Sequence, residues 1–327
     1  MTLTLNLTLA LALSLALFPA PNPKPKQAQG VQVLVAAAKM HFRNAKVQAR
    51  VAGALRKMSA TDENKREIAE AGGVRALIES SRMHLDSGVV QASVAGVLSN
   101  LSVDSEIERE IASEGGIEAL IGAATAHATD VKVQARVVRA LTNLSADAAN
   151  KARIGSEEGV ATLVQAALTH ADSAAVQAGV AGGLRNLSLS AELAQRIVAL
   201  DGPRALIAAA TTHAANAIVQ AGPRCRRTCG HCKDSQTTSR SHVHRSHVHA
   251  HVHMHAAARA CPSTLCATVQ AGVAGALRNL SASEATRQAI VAAGGMEALS
   301  AAAQLHADNE RLQAEVAGAL RNLAGEA

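Results

Sequence analysis

Aromatic side chains are almost missing from this sequence: Phe18 and Phe42 stand alone among 327 residues, and Trp and Tyr are absent. Proteins that bind single-stranded nucleic acid stack its bases on aromatic rings, and cages for quaternary ammonium groups use the same side chains. The shortage of aromatic residues therefore argues against both kinds of site.

Cysteine is confined to one segment, because all five cysteines lie between residues 221 and 269. The same segment contains seven basic residues and one acidic residue, which accounts for the whole net charge of +6. The rest of the chain has 25 basic and 25 acidic residues. Since the excess charge belongs to one segment, we expect no nucleic-acid partner.

Catalytic motifs are lacking in the rest of the chain. It contains neither a phosphate-binding glycine-rich loop nor a His-Glu-x-x-His zinc motif. Acidic residues such as Asp62 and Glu106 fall where turns and exposed helices are expected. We therefore expect a protein that is not an enzyme and has no cofactor.

A repeat of 43 residues organises most of the chain. It is marked by a glutamine that follows a valine or leucine and precedes an alanine. These glutamines are Gln48, Gln91, Gln134, Gln177, Gln220, Gln270 and Gln313. The spacing is 43 residues except between Gln220 and Gln270, where it is 50. Histidine, isoleucine and leucine positions keep the same spacing, so the sequence predicts one repeat array with an insertion.

Each repeat contains three patterns of helical spacing. In the third pattern, residues 87–102, Val90, Val94, Leu98 and Leu101 fall on one face of an α-helix. We predict a short first helix, a second helix that ends at the periodic histidine, and this long third helix.

Glycine recurs at two places in the repeat. A pair such as Gly72–Gly73 precedes the second helix, where a left-handed helix terminator is expected. Glycine also recurs within the third helix, as at Gly96, although it costs up to about 1 kcal/mol there relative to alanine. This recurrence predicts that a neighbouring backbone approaches closely.

A unit of this size cannot bury its own apolar faces, so neighbouring units must stack into a solenoid. We predict an all-α array of about six three-helix repeats with a period of 43, the first repeat having only its second and third helices. The expected organisation is a low-complexity leader at 1–29, which is either signal-like or mistranslated, and repeats at 30–222. A Cys/His-rich insertion at 223–268, either disordered or a retained intron, and further repeats at 269–327 follow.

The Gly-Gly pair, the Val-Gln pair and the Leu-x-Asn-Leu-Ser ending recur together in a pattern that resembles the armadillo repeat. The units are most similar to those of vacuole-associated scaffolds and of proteins that join armadillo repeats to leucine-rich-repeat kinases. The resemblance implies a right-handed α-solenoid whose third helices line a concave groove. It also implies a monomeric, non-enzymatic scaffold that binds extended segments of other proteins, without nucleic acid or membrane.

In peptide-binding members of that family, an asparagine of the third helix bonds the backbone of the partner. The matching positions here are Asn100, Asn143, Asn186, Asn279 and Asn322, while the first copy has Lys57. An asparagine near a helix end can equally satisfy local backbone groups.

Arginines on the same side of the repeat suggest an acidic or polar partner segment. They are Arg56, Arg139, Arg185, Arg278 and Arg321. The alternative is that they are solvated cations favoured by the helix dipole. Import receptors of the family place a tryptophan four residues before the asparagine, and this chain has none, so we expect no binding of nuclear import signals.

The periodic histidines, such as His84 and His127, invite a metal-site interpretation. Equivalent residues of successive repeats stand about one repeat apart, so we expect each histidine to bond a free carbonyl at a helix end instead.

The insertion offers an alternative function. Cys225, Cys229, His231 and Cys232 could bind zinc, and the histidine-rich tract that follows could bind Zn, Ni or Cu. The alternating His-Val dipeptides also match what a repeated CA/TG DNA tract encodes, and removing 50 residues restores the repeat. We therefore hypothesise that most of 221–269 is a translated retained intron.

The first residues resemble the apolar core of a signal peptide, but no positive residue precedes them. Secretion would expose four Asn-Leu-Ser glycosylation sequons on the third helices, so we expect a cytoplasmic protein. The alternative is a secretory protein in which residues 1–20 act as the signal. A further alternative is a fragment of a larger multidomain protein, since the sequence stops at Ala327 directly after a third helix.

Overall fold

The computed structural model describes residues 25–220 and 262–325, and these ranges form helices and turns without a strand. The predicted all-α class is confirmed for them. By their contacts the residues divide into two compact units, Met1–Thr162 (unit 1) and Leu163–Ala327 (unit 2). The division falls inside a helix of the fourth repeat.

Unit 1 contains repeats 1 to 3 and the beginning of repeat 4. Repeat 1 has helices α1 (Pro25–Met40) and α2 (Ala45–Met58). Repeat 2 has α3 (Asp62–Glu70), α4 (Gly73–Met83) and α5 (Gly88–Leu101). Repeat 3 has α6 (Ser105–Ser113), α7 (Gly116–Ala126) and α8 (Val131–Leu144).

Repeat 4 spans the division of the chain, and repeats 5 and 6 lie in unit 2. Repeat 4 has α9 (Ala148–Ile154), α10 (Glu157–Thr169) and α11 (Ala174–Leu187). Repeat 5 has α12 (Ala191–Ala199), α13 (Gly202–Gln220) and α14 (Pro262–Leu280). Repeat 6 has α15 (Glu284–Ala292), α16 (Gly295–Leu305) and α17 (Glu310–Ala324). None of these described helices has both the length and the apolar character needed to cross a membrane.

The turn between the first and second helices needs glycine for two reasons. Gly72 and Gly294 adopt left-handed backbone angles, with φ of 73° and 84°, and Asp201 takes the same place in repeat 5 with φ of 65°. The second glycine packs against the first helix, since a β-carbon on Gly73 would lie 2.6 Å from the Ile68 carbonyl oxygen. The glycine pair therefore encodes both the reversal of the chain and the close packing that follows it.

The third helices supply much of the core. In α5 the four residues of the predicted apolar face, Val90, Val94, Leu98 and Leu101, are at most 1% exposed. Full burial of such side chains contributes about 1.5–3 kcal/mol each. In unit 1 α5 packs against both α2 and α8, and in unit 2 α14 packs against both α11 and α17. We call these rows the unit 1 ladder (α2, α5, α8) and the unit 2 ladder (α11, α14, α17).

The periodic glutamine caps the second helix of its own repeat. Gln134 Nε2 donates to the carbonyl oxygens of Ala124 at 2.7 Å and His127 at 3.0 Å, where α7 ends. The same pair of bonds, to carbonyls 10 and 7 residues earlier, is made by Gln48, Gln91, Gln177 and Gln313. The last carbonyls of a helix have no intrahelical partner, so this buried amide satisfies them.

In repeat 5 the equivalent bond spans the insertion. Gln270 Nε2 donates to the Ala210 carbonyl oxygen at 2.7 Å, so Gln270 occupies the glutamine position of this repeat. Helix α13 continues through His213 to Gln220, whereas the other second helices end before their histidine. Helix α14 begins at Pro262, before the repeat boundary at 269 that the sequence predicts.

Most of the predicted leader and most of the insertion lie outside the described residues, which exclude 1–24 and 221–261. The boundaries proposed for these segments, and the retained-intron hypothesis, stay predictions.

Candidate partner-binding surface

In unit 1 the predicted asparagines tie consecutive third helices together. Asn143 Nδ2 on α8 donates to the Ser99 carbonyl oxygen at 3.0 Å and to Ser102 Oγ at 3.2 Å, both in the preceding repeat. Asn100 Nδ2 on α5 donates in the same way to the Arg56 carbonyl oxygen at 3.2 Å. These bonds join one repeat to the next. From the sequence alone, they could not be distinguished from bonds to backbone groups at the asparagine's own helix end.

The asparagines of unit 2 follow the same pattern. Asn279 Nδ2 donates to the Arg185 carbonyl oxygen at 3.1 Å, and Asn322 Nδ2 donates to the Arg278 carbonyl oxygen at 3.0 Å. Asn186 holds the equivalent place on α11. Because an amide has only two N–H groups to donate, partner binding through these asparagines competes with the joining of repeats and stays a prediction.

The predicted arginines of unit 1 lie across α5. Arg139 Nε donates to Ser99 Oγ at 2.7 Å, and its Nη2 donates to Asn100 Oδ1 at 3.3 Å. A β-carbon on Gly96 would lie 2.5 Å from Arg56 Cδ. The expectation that a neighbouring backbone approaches Gly96 is therefore wrong: glycine is needed there because the arginine side chain of the preceding repeat passes over it.

A third arginine, which the sequence reasoning missed, meets the other two. Arg136 Nη1 donates to the Ala92 carbonyl oxygen at 2.6 Å, and Arg136 Cδ lies 3.4 Å from the place of a β-carbon on Gly96. Its position, two residues after the periodic glutamine, is variable. The other repeats have Arg50, Ser93, Gly179, Gly272 and Glu315 there. The change of charge at this variable position was the feature of the sequence that could have identified Arg136.

In unit 2 the arginines share a carboxylate. Glu315 Oε1 accepts a bond from Arg185 Nη2 at 2.5 Å, and Glu315 Oε2 accepts one from Arg278 Nη1 at 3.0 Å. The Glu315 side chain is 11% exposed, whereas those of Arg185 and Arg278 are 34% and 51% exposed. Two of the predicted partner-binding arginines are thus already paired inside the chain, while Arg321 near the end of α17 is exposed.

The arginines of unit 1 repel one another. Burial lowers the pKa of Arg136, the charges of Arg56 and Arg139 lower it further, and Asp130 acts in the opposite direction. Burial, and after it the charge of Arg56, likewise lowers the pKa of Arg139. Since arginine keeps its charge in proteins, three positive charges are held close together.

The periodic histidines bond to the preceding repeat. His84 Nε2 lies 2.6 Å from the Phe42 carbonyl oxygen, and His127 Nε2 lies 2.7 Å from that of Leu85. A neutral ring donates its N–H to such an oxygen. The sequence predicted a carbonyl partner at the histidine's own helix end, and the structure corrects this to the turn one repeat earlier.

Repeat 6 departs from this pattern at the insertion. His213 Nε2 lies 3.0 Å from the Ala171 carbonyl oxygen, but the buried His306 Nε2 has no hydrogen-bond partner among the described residues. The carbonyl at the matching place is that of Ala214, which lies inside α13. Because the insertion lets α13 continue as a helix, the turn that would present this carbonyl is missing.

The cysteines and histidine of the metal-site alternative, Cys225, Cys229, His231 and Cys232, lie outside the described residues. Within 25–220 and 262–325 no three His, Cys, Asp or Glu side chains are grouped so that they could hold a metal ion. Cys266, on α14, is buried, and burial raises the pKa of its thiol.

Comparison with known proteins confirms the resemblance to armadillo repeats. Residues 283–325 match the family model described as the armadillo/beta-catenin-like repeat. The crystal structure of an engineered protein matches with a TM-score of 0.62 and 25% identity, over 90% of this chain and 96% of that one. A structure from work on a phosphorylation switch that controls the interaction between cadherin and beta-catenin matches with a TM-score of 0.40 and 16% identity. That match covers 91% of this chain and 68% of the other. No curated protein matches the chain.

Proposed function

We propose that this chain, whose repeats are similar to armadillo repeats, is a non-enzymatic scaffold that binds extended segments of partner proteins along its third helices. The observation that carries the proposal is the construction of the two ladders. In each ladder the third helices of three consecutive repeats lie side by side. Polar side chains recur at equivalent positions from one helix to the next.

A row of this kind suits a long partner better than a small substrate. Stacked repeats give an extended surface, and equivalent side chains recur along it at the spacing of the repeat. An extended peptide likewise presents side chains at regular intervals. Exposed polar residues of the unit 1 ladder, including Arg50 and Lys57, are free to meet such a segment.

Co-purification from the native cell tests this function. The partners of two variants are compared, one with charges reversed on a third helix and one with charges reversed on first helices. One full-length variant carries Arg50→Glu and Lys57→Glu on α2. The matched control carries Arg66→Glu and Arg109→Glu on the first helices α3 and α6, where both side chains are also exposed. Each variant reverses two positive charges.

We expect protein partners of the unaltered chain to be lost with the α2 variant and kept with the control. Partners that bind both variants equally well, or that are lost equally from both, would contradict binding along the third helices. Circular dichroism of the purified variants checks that each remains helical.

A further inference from the structure

Three arginines from two helices meet above the middle helix of the unit 1 ladder. Arg56 on α2 and Arg136 on α8 both pass over Gly96 of α5. Arg139 lies about one turn further along, where it bonds Ser99 and Asn100 of the same helix. Repeats 1 and 3 thus direct their cations to one place on repeat 2.

The charge of this arginine cluster is not neutralised by an ion pair among the described residues, although Asp130, at the start of α8, acts on Arg136 from a distance. Among the described residues none of its three members forms an ion pair, and Arg56 Nε is buried without a hydrogen-bond partner. Helices α2, α5 and α8 together have seven lysines and arginines and no aspartate or glutamate. Burying unpaired cations costs free energy, which an oxyanion supplied from outside would recover.

Unit 2 shows what fills the equivalent place. Glu315 occupies the position in repeat 6 that Arg136 occupies in repeat 3, two residues after the periodic glutamine. Arg185 takes the position of Arg56, three repeats later in the chain, and its side chain passes over Gly275 as Arg56 passes over Gly96. There the carboxylate of Glu315 accepts bonds from Arg185 and Arg278.

We propose that the cluster formed by Arg56, Arg136 and Arg139 binds the carboxylate of an aspartate or glutamate in an extended partner segment. The proposal deepens the proposed function and rests on it for the partner being a protein. The partner's carboxylate takes the role in unit 1 that Glu315 takes within unit 2. Two guanidinium groups from different helices give that single carboxylate several charge-assisted donors.

A peptide carboxylate fits this site better than nucleic acid does. The occupant seen at the equivalent place is a side-chain carboxylate, and the ladder helices contain no aromatic side chain on which a base could stack. The remaining basic residues of α2, such as Arg50, extend the positive surface along the same row, so a segment with more than one acidic residue is favoured.

Fluorescence anisotropy with a defined peptide tests the site on the full chain. The peptide is a labelled dodecamer of alternating glutamate and serine, with a matched dodecamer of glutamine and serine. We expect the glutamate peptide to bind, binding to weaken with added salt, and the glutamine peptide to bind at least about tenfold more weakly.

The variant is Arg136→Glu, and its matched control is Arg109→Glu on the first helix of the same repeat. We expect Arg136→Glu to weaken binding of the glutamate peptide by about tenfold or more, and the control to change it by less than about twofold. Because Ser93 occupies the same position in repeat 2, Arg136→Ser is a second variant that the repeat accommodates, and it should weaken binding as well.

The proposal is overturned if the glutamate peptide fails to bind, if both charge reversals weaken it equally, or if a labelled single-stranded dodecanucleotide binds more tightly. Failure of the peptide, with native partners still lost from the α2 variant, would reject the carboxylate site and leave the proposed function standing. Peptide binding at this site, with no native partner that depends on the third helices, would reject the proposed function alone.

Discussion

The two ladders differ in how they treat the charges of their arginines. The unit 1 ladder has seven basic residues and no acidic one, and its arginine cluster forms no ion pair among the described residues. The unit 2 ladder has four basic and two acidic residues, and Glu315 bridges two of the arginines. The ladders differ at three equivalent positions of this site, where Arg136, Ser99 and Arg139 of unit 1 are replaced by Glu315, Arg278 and Gly318 in unit 2. Of these, only Glu315 supplies a carboxylate.

The units also differ in whether each repeat keeps the turn that follows its second helix. Repeats 2 and 3 of unit 1 keep every turn, and His84 and His127 bond the preceding repeat. In unit 2 α13 continues past His213, and His306 Nε2 has no partner within 25–220 and 262–325. We therefore expect the insertion to destabilise the repeat that follows it.

The largest expected effect comes from removing the insertion. A chain without residues 221–270 keeps Asn216 four residues before its glutamine, where Asn44, Asp130 and Asn309 cap other third helices. Restoring this cap and the His306 bond should raise the free energy of unfolding of unit 2 by about 2 kcal/mol.

Urea unfolding followed by circular dichroism measures this gain. The control replaces residues 221–261 by a Gly/Ser linker of equal length, which preserves the interruption and should leave stability near that of the unaltered chain. An equal or lower stability of the shortened chain would show that the insertion does not disturb the repeat.

The asparagine bonds give the next effect in size and compare the ladders directly. Asn143→Ala in unit 1 removes a side chain that is 4% exposed, together with its bonds to the Ser99 carbonyl oxygen and to Ser102 Oγ. It should destabilise the protein by about 2 kcal/mol, because two buried hydrogen bonds between repeats are lost. Asn322→Ala in unit 2 removes an exposed bond and should cost less than about 1 kcal/mol.

Thermal unfolding of both variants checks the order of the two effects. If Asn143→Ala proves no more costly than Asn322→Ala, the asparagine column does not join the repeats as the bonds indicate.

The regular part of the fold could be predicted from the sequence, because it repeats. The periodic glutamine, the Gly-Gly turn and the apolar face of residues 87–102 each recur, so their roles in one repeat apply to the others. The third helix predicted at 87–102 is found at Gly88–Leu101.

The candidate site could not be predicted as well, because it depends on positions that vary. Arg136 and Glu315 carry no recurring pattern, and only the geometry shows that each meets an arginine from two repeats earlier. The bonding partners of the asparagines and histidines were likewise hidden, since a spacing of about 43 residues does not say which neighbouring carbonyl a side chain reaches. The longer α13 follows from the insertion and not from any periodic residue.

A smaller effect should follow from removing the internal counter-charge. Glu315→Gln breaks the ion pairs with Arg185 and Arg278, both partly exposed, and should cost about 1 kcal/mol. Glu315→Arg would place a third arginine beside Arg185 and Arg278, as Arg136 lies beside Arg56 and Arg139 in unit 1, so a second glutamate peptide should bind per chain. Isothermal titration calorimetry measures the stoichiometry, and an unchanged ratio would argue that position 315 does not decide the charge of the ladder.

The smallest effect is a dependence on pH. Burial lowers the pKa of His306 in the folded chain, as it does that of His213. The unfolded chain therefore binds more protons, and stability should fall as the pH drops below about 6.5, the ordinary value for histidine. In His306→Gln this loss between pH 7.5 and 5.5 should be smaller, as thermal melts at each pH would show; an identical loss would exclude His306 as a contributor.

The most direct test of the account is a crystal structure of the chain with the glutamate–serine dodecamer. We predict an extended peptide across α2, α5 and α8, with one carboxylate within about 4 Å of the guanidinium groups of Arg56 and Arg136. A peptide bound to the first or second helices, or one whose carboxylates do not contact these arginines, would contradict the central claim. That claim is that a partner's carboxylate binds the arginine cluster of unit 1 as Glu315 binds arginines within unit 2.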